Sequence, residues 1–245
     1  MGVPIVTGTA GQTTVVVFCH NYGRYLRQAV DSVLGQSRRP RILILDDASE
    51  DETSEVAGEI VAAAGGEVKY RRVDVTLGLS RARNLAAATV TTDWIVHLDA
   101  DDWLAPTFIA SGEEWLRTHG TTEVLTTDMV VVREGQRRKV IRARAPRCWT
   151  DLAQHNSVIT TAFIRRSVIL QLGGYDPALH FEDWDFWIRV VKAGYRIERL
   201  PGPHLFRREH GLNKSKVCDQ EEGRRQIRAK HPTLTSFESH HPGWQ

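Results

Sequence analysis

The stretch Trp94-Ile95-Val96-His97-Leu98-Asp99-Ala100-Asp101-Asp102 decides how this chain is read. A short apolar run bounded by polar residues reads as a buried strand, so Trp94–Leu98 is expected to be one, delivering Asp99 at its carboxyl end. Asp99 and Asp101 stand two residues apart. Alternate residues share a face of an extended chain, so the two carboxylates converge on one point if that geometry persists. Divalent ions such as Mg²⁺ and Mn²⁺ take oxygen ligands, often one or two carboxylates plus the phosphates of a substrate. The plain alternative is an acidic turn that caps the next helix, since a lone Asp-x-Asp arises often by chance.

Toward the amino terminus the same pattern repeats. Thr14–Phe18 (TVVVF), Arg41–Leu45 (RILIL) and Val68–Val73 are further strand candidates. Between them Tyr25, Leu26, Ala29, Val30, Val33 and Leu34 recur at helical spacing. Val56–Ala64 forms a helix stopped by Gly65-Gly66, and Leu79–Ala88 an Ala-rich one. Pro106 marks another helix start, carried on through Thr107–Thr118. Such alternation predicts an α/β fold, a Rossmann-like, mostly parallel central sheet flanked by helices. Ligands of these sheets bind beyond the carboxyl ends of the strands. Leu45-Asp46-Asp47-Ala48-Ser49 closes a second central strand with acids, which gathers Asp47 and Asp99 around one crevice. Like charges there repel unless a metal, or donors from a base and ribose, meet them. An N-cap role for Asp47 or Ser49 is the structural alternative.

The second half is less regular. Glu123–Val132 reads as a long strand with Lys139–Ala143 as hairpin partner across a Glu134-Gly135-Gln136 turn. Val158–Ile164 is a strand candidate leading into a helix that ends at Leu172, and Glu182–Ala193 is an aromatic helix. With no internal repeat and no Pro- or Ser-rich linker, one domain over 1–245 is expected. Residues 13–102 form its nucleotide-binding half, 103–215 its acceptor and catalytic half, and 216–245 a tail that includes His240-His241.

At 245 residues, 41% hydrophobic and 25% charged, the chain can bury a core without cross-links. A net charge of +2 sets up no global field of the kind that binds nucleic acid. Cys19, Cys148 and Cys218 are odd in number and not closely spaced, which argues against a disulfide framework and for a reducing compartment. No apolar run approaches the roughly 20 residues of a membrane helix. Met1–Gln12 lacks the basic and apolar regions of a signal peptide, so a cytoplasmic location is expected.

Five segments, taken in order, resemble the family-2 inverting glycosyltransferases of the GT-A fold. They are VVVFCHNYGRYLRQAVDSVLGQS (15–37), ILILDDASEDET (42–53), GLSRARNLAAATVTTDWIVHLDADD (78–102), GGYDPALHFEDWDFWIRVVKAGY (173–195) and LFRREHGLNKS (205–215). The resemblance implies a nucleotide-diphospho-sugar donor, a UDP-sugar by preference, and Mn²⁺ or Mg²⁺ as cofactor. Phe18 and His20 fall where the family holds the nucleobase, and Asp47 where a carboxylate accepts from the base. Arg83 and Asn84 match an Arg-Asn pair on the helix facing the donor. Asp99 matches the acid near ribose and metal, and Asp101 the acid that ligates the metal directly. His210, in Arg207-Arg208-Glu209-His210-Gly211, matches a histidine that completes the metal shell. Asp183 matches the catalytic base, with Glu182 as the other candidate; a helix N-terminus favours its ionised form. Cys19-His20 replaces the family's commoner Thr-Tyr, which leaves the base identity open. The acceptor is a glycan, a lipid-linked intermediate, a peptide or a small metabolite.

Two other classes compete. A sugar-nucleotide nucleotidyltransferase needs a Gly-rich, basic phosphate loop after the first strand, where this chain has Cys19-His20-Asn21-Tyr22-Gly23-Arg24. A catalytically silent binding module would be expected to lose Asp101 or Asp183, and both are present. A Rossmann dehydrogenase is disfavoured for want of G-x-G-x-x-G.

Overall fold

A computed structural model describes residues 13–211 and 219–237. Its centre is a nine-stranded sheet. The first four strands are β1 (Thr13–Cys19), β2 (Arg41–Asp46), β3 (Val68–Arg72) and β4 (Trp94–Asp99), all parallel in the order β3-β2-β1-β4. β1 is buried along its whole length, so it reads as a continuous Thr/Val run instead of alternating. Helices α1 (Gly23–Leu34), α2 (Thr53–Ala63) and α3 (Leu79–Thr89) connect these strands. In α1 the buried residues Leu26, Ala29, Val30 and Val33 form one stripe toward the sheet, each large one contributing about 1.5–3 kcal/mol by burial.

The second half extends the sheet with mixed polarity. β5 (Trp103–Leu104) and α4 (Phe108–Thr118) follow the acidic turn. β6 (Val124–Arg133) and β7 (Gln136–Ile141) make a hairpin whose turn is the pair Glu134-Gly135, both at positive φ (52° and 72°), a geometry that suits the twist of paired strands. β8 (Ala162–Arg165) lies antiparallel between β4 and β6, and β9 (Ile197–Arg208) pairs parallel with β6 and antiparallel with β5. Helices α5 (Arg166–Gln171), α6 (Glu182–Lys192) and α7 (Gln220–Lys230) complete it.

The structure corrects one expected strand and adds two elements that the sequence reading does not name. The strand read at Val158–Ile164 begins only at Ala162. Ile159 spends its N–H and C=O on the Thr126 hydroxyl (3.1 and 3.0 Å), which takes the segment before it off the ladder. The long strand β9 was not foreseen. It carries Pro201-Gly202-Pro203 through a register irregularity opposite Asp128, the place in a ladder where proline is tolerated. Thirdly, part of the segment read as a tail is the helix α7. Asp219 caps it by accepting from the N–H groups of Glu221 and Glu222, both at 3.0 Å. Gly223 lets it pack on Phe181, where a Cβ would come within 2.6 Å of the ring. His240-His241 lie outside the described residues.

Candidate active site

A cleft of about 990 Å³ opens at the carboxyl ends of β1, β2 and β4 and is closed off by residues of the second half. Phe18, His20, Asp47, Arg83, Asp99, Asp101 and Asp183 all line it. One element at a time, the chain builds two sides.

On the first side, Asp47 follows β2 and is fixed by backbone donors. The N–H of Leu77 donates to Oδ1 (2.6 Å) and that of Gly78 to Oδ2 (2.9 Å), which aligns the carboxylate. His20 sits in the loop after β1, its Nδ1 donating to the Asp47 carbonyl at 2.6 Å. That contact fixes the tautomer and leaves Nε2 as an acceptor, facing the Asn21 amide at 3.3 Å. Phe18 is buried at the end of β1 with its ring edge-on to His97 (5.2 Å). Cys19 packs its side chain into the core beside Thr53, where burial pushes its thiol up to about 11.

Asp99 ends β4, and the acids converge for a different reason from the one expected. The chain does not stay extended. It turns, the N–H of Asp102 donating to the Asp99 carbonyl at 3.0 Å, and the turn brings Asp99, Asp101 and Asp102 together. Their ligand oxygens lie within 4.8 Å of one another. Burial and the charges of Asp101 and Asp99 push the Asp102 carboxyl well above the usual range. His210, arriving from the end of β9, places Nε2 2.9 Å from Asp101 Oδ2, its ring packed beside Tyr22 and Tyr25 at 5.6 and 5.7 Å. Three carboxylates with ligand oxygens this close, and an imidazole alongside, are a donor set that fits a divalent cation such as Mn²⁺ or Mg²⁺.

The second side is built on α6. Asp183 lies in its first turn, half-buried, and one carboxylate oxygen accepts from its neighbour's backbone, Trp184 N–H, at 2.8 Å. The other accepts from Asn156 Nδ2 (2.9 Å) and Thr160 Oγ1 (3.0 Å). Burial, reinforced by the charge of Glu182, raises its proton affinity above that of an ordinary aspartate. Asn156 and Thr160 carry no local sequence signal, and no sequence reading singled them out.

Between the two sides runs Arg83, buried on α3. Its Nη1 donates to Glu182 Oε1 at 3.0 Å, and its Nη2 lies 3.9 Å from Asp99 Oδ1. Both members of the Arg83–Glu182 pair are only 3% exposed, so Glu182 is engaged as a charge partner and Asp183 is the more accessible acid. The expected donor contact of Asn84 gives way to a different task. Its amide oxygen accepts from Tyr175 N–H (2.7 Å) and its nitrogen donates to the Tyr175 carbonyl (2.8 Å), outside the cleft lining. Gly173 and Gly174, at φ 74° and 77°, make the turn that allows this. Trp184 is buried too, donating to the Leu152 carbonyl at 2.8 Å, and Trp187 is core.

A mostly parallel sheet with an acid-tipped central strand, and a helix that carries Asp183 across its cleft, has the architecture of the GT-A glycosyltransferase fold. The chain matches the family described as glycosyl transferase family 2 over residues 14–172, and it belongs to that family. Among curated relatives, the putative glycosyltransferase EpsE of Bacillus subtilis is 28% identical over 190 residues, 76% of this chain and 68% of that protein. Among solved structures, TarS 1–349 of S. aureus in complex with UDP-GlcNAc superposes with a TM-score of 0.74 at 17% identity, covering 91% of this chain and 66% of that one. The mannosyltransferase PcManGT of Pyrobaculum calidifontis, solved with GDP-Man and Mn²⁺, gives 0.63 at 18% identity, covering 96% and 66%. The chain thus spans about two thirds of each. Among the described residues no helix is long and apolar enough to cross a membrane.

Proposed function

We propose that this glycosyltransferase moves a sugar from a nucleotide-diphosphate donor, a UDP-sugar by preference, to an acceptor hydroxyl in one inverting displacement. The observation that carries the reading is the division of a single cleft between the Asp99/Asp101/Asp102 cluster and the half-buried Asp183. Phe18, His20 and Asp47 would hold the nucleoside: an aromatic ring and an imidazole against the base, and a carboxylate whose remaining lone pairs accept from it. Asp101, Asp99 and His210 would hold Mn²⁺ or Mg²⁺, with Asp102 behind them. When bound, such an ion neutralises a diphosphate and favours its departure. TarS holds UDP-GlcNAc and PcManGT holds GDP-Man with Mn²⁺, which supports a nucleotide-sugar donor and leaves the choice of carrier to experiment.

Asp183 would accept the proton of the acceptor hydroxyl as its oxygen attacks the anomeric carbon. A single displacement needs one base, and a carboxylate whose proton affinity is raised by burial is better suited to the task than a solvated one. Asn156 and Thr160 donate to the same oxygen and hold it at a fixed angle. Arg83 balances Glu182 and Asp99, so that the crowded acids need not all be met by the ligand. Calorimetric titration with UDP, GDP and dTDP, in Mn²⁺ and then in EDTA, tests the donor half of this reading. One nucleotide should bind tightly and be released on chelation; equal binding in EDTA would remove the metal from it. Anomeric analysis of the product by NMR tests inversion.

A further inference from the structure

We infer that the acceptor is anionic, a phosphate-bearing molecule whose charge is received by arginines flanking Asp183. The inference rests on the reading of Asp183 as base and adds the class of acceptor to it.

The cations come from two elements that converge on α6. Arg142 and Arg144 follow β7, and Arg224 belongs to α7; all three line the cleft. Arg142 and Arg144 are exposed, whereas Ala143 between them is buried, as expected for an extended segment with one face on the core and the other over the cleft. That segment is pinned. The Ala143 N–H donates to Asp128 Oδ1 at 2.9 Å, and Asp128 is itself gripped by Arg199 through two bonds of 2.7 and 2.6 Å. One residue on, Arg144 N–H donates to the Ser157 carbonyl at 3.0 Å, next to Asn156, which holds Asp183. Arg224 is brought up from the other direction by Gly223, packed on Phe181, and by Gln226, which accepts from His180 N–H at 2.9 Å.

Among the described residues, no hydrogen bond or ion pair engages the guanidinium of Arg142 or Arg224. Arg142 and Arg224, without a carboxylate partner among the described residues and lining the cleft, suit a ligand that brings its own anion. The arginines belong to segments that meet the supports of Asp183, Arg144 through Ser157 beside Asn156 and Arg224 through Gly223 against Phe181. A donor diphosphate is separated from them by loading the protein with UDP and Mn²⁺ before the test. The exposed strand β7 continues the same sign outward through Arg137, Arg138 and Lys139, a track suited to a longer anion or to long-range attraction.

The test loads the protein with UDP and Mn²⁺ and follows the side-chain resonances of these arginines by NMR. The probe is glucose 1-phosphate, with methyl glucoside as its neutral counterpart. Glucose 1-phosphate should bind at least tenfold tighter than methyl glucoside and shift Arg142, Arg144 and Arg224. The double variant Arg142→Gln/Arg224→Gln should lower its affinity about tenfold, and raising the salt should do the same in the wild type. Equal affinity for the two probes, or no change in the variant, would overturn the inference. So would binding of Arg137, Arg138 and Lys139 to phosphatidylglycerol vesicles with no preference for glucose 1-phosphate, which would make the basic strand a membrane contact. Failure of UDP itself to bind would instead strike the donor reading, so the two failures are distinguishable.

Discussion

Asp47 and Asp183 are both acids at the edge of one cleft, but the chain holds them by different means. Asp47, in residues 13–102, is clamped by the backbone N–H groups of Leu77 and Gly78, and its neighbour Asp46 accepts from Ser49 N–H three residues away. Asp183, in the second half, is held by the side chains of Asn156 and Thr160, from 27 and 23 residues upstream. Around it the Arg83–Glu182 pair spans 99 residues and the Asn84–Tyr175 clasp 91. Backbone clamps survive sequence change, because every residue but proline has the N–H. Side-chain clamps do not. The first side of the cleft should therefore tolerate substitution of its supports, and the second should be sensitive to each of them.

The largest effect should come from the acid that Asn156 and Thr160 hold. Asp183→Asn removes the proposed proton acceptor while keeping shape, and kcat should fall about a thousandfold in a steady-state transfer assay. Wild-type turnover would reassign the base.

Next in size is a structural lesion. Gly174 stands at φ 77°, and a Cβ there would lie 2.2 Å from the Asn84 amide oxygen. Gly174→Ala should cost about 3 kcal/mol in urea unfolding through strain and overpacking. An unchanged midpoint would show that the Asn84–Tyr175 clasp can move.

Acid stability reports on the same half. Asp185 is fully buried; burial alone would raise its carboxyl, yet the hydrogen bond from His231 and the Arg189 guanidinium outweigh it and hold the group at about 2. A depressed carboxylate stabilises the fold above its unfolded value and loses that contribution as pH falls through the folded one. Between about pH 4 and pH 2 this group should therefore withdraw about 2 kcal/mol. Asp185→Asn should flatten that limb of the stability profile.

The smallest effect sharpens the comparison most. Because Asp183 is raised, the acid limb of kcat/KM should lie above the ordinary aspartate value of 3.8. Glu182→Gln removes the neighbouring negative charge and frees Arg83 to act on Asp183, so the limb should move to lower pH. A limb that stays put would mean that burial alone sets the proton affinity.

The same contrast explains what could be read from the chain. β2 and β4 are runs of buried apolar residues that end on Asp46 and Asp99, and Asp47 and Asp101 follow within two positions, so strand, tip and candidate ligands are local. The cluster itself was legible, although its convergence comes from a turn and not from an extended chain. β9 was not, because its exposed face and Pro201-Gly202-Pro203 hide a strand that only pairing with β6 reveals. The helix α7 buries little beyond Gly223 and Ile227, yet its Asp219 cap, acidic first turn and basic last turn were signals that could have been used. Asn156 and Thr160 matter only through where the chain returns, which no local pattern records.

The central claim is that the cleft separates donor holding from proton transfer, and one calorimetric comparison tests it. UDP is titrated in Mn²⁺ into wild type, Asp101→Asn and Asp183→Asn. The account predicts wild-type affinity for Asp183→Asn and a loss of about a hundredfold for Asp101→Asn. Equal loss in both, or loss only in Asp183→Asn, would contradict it.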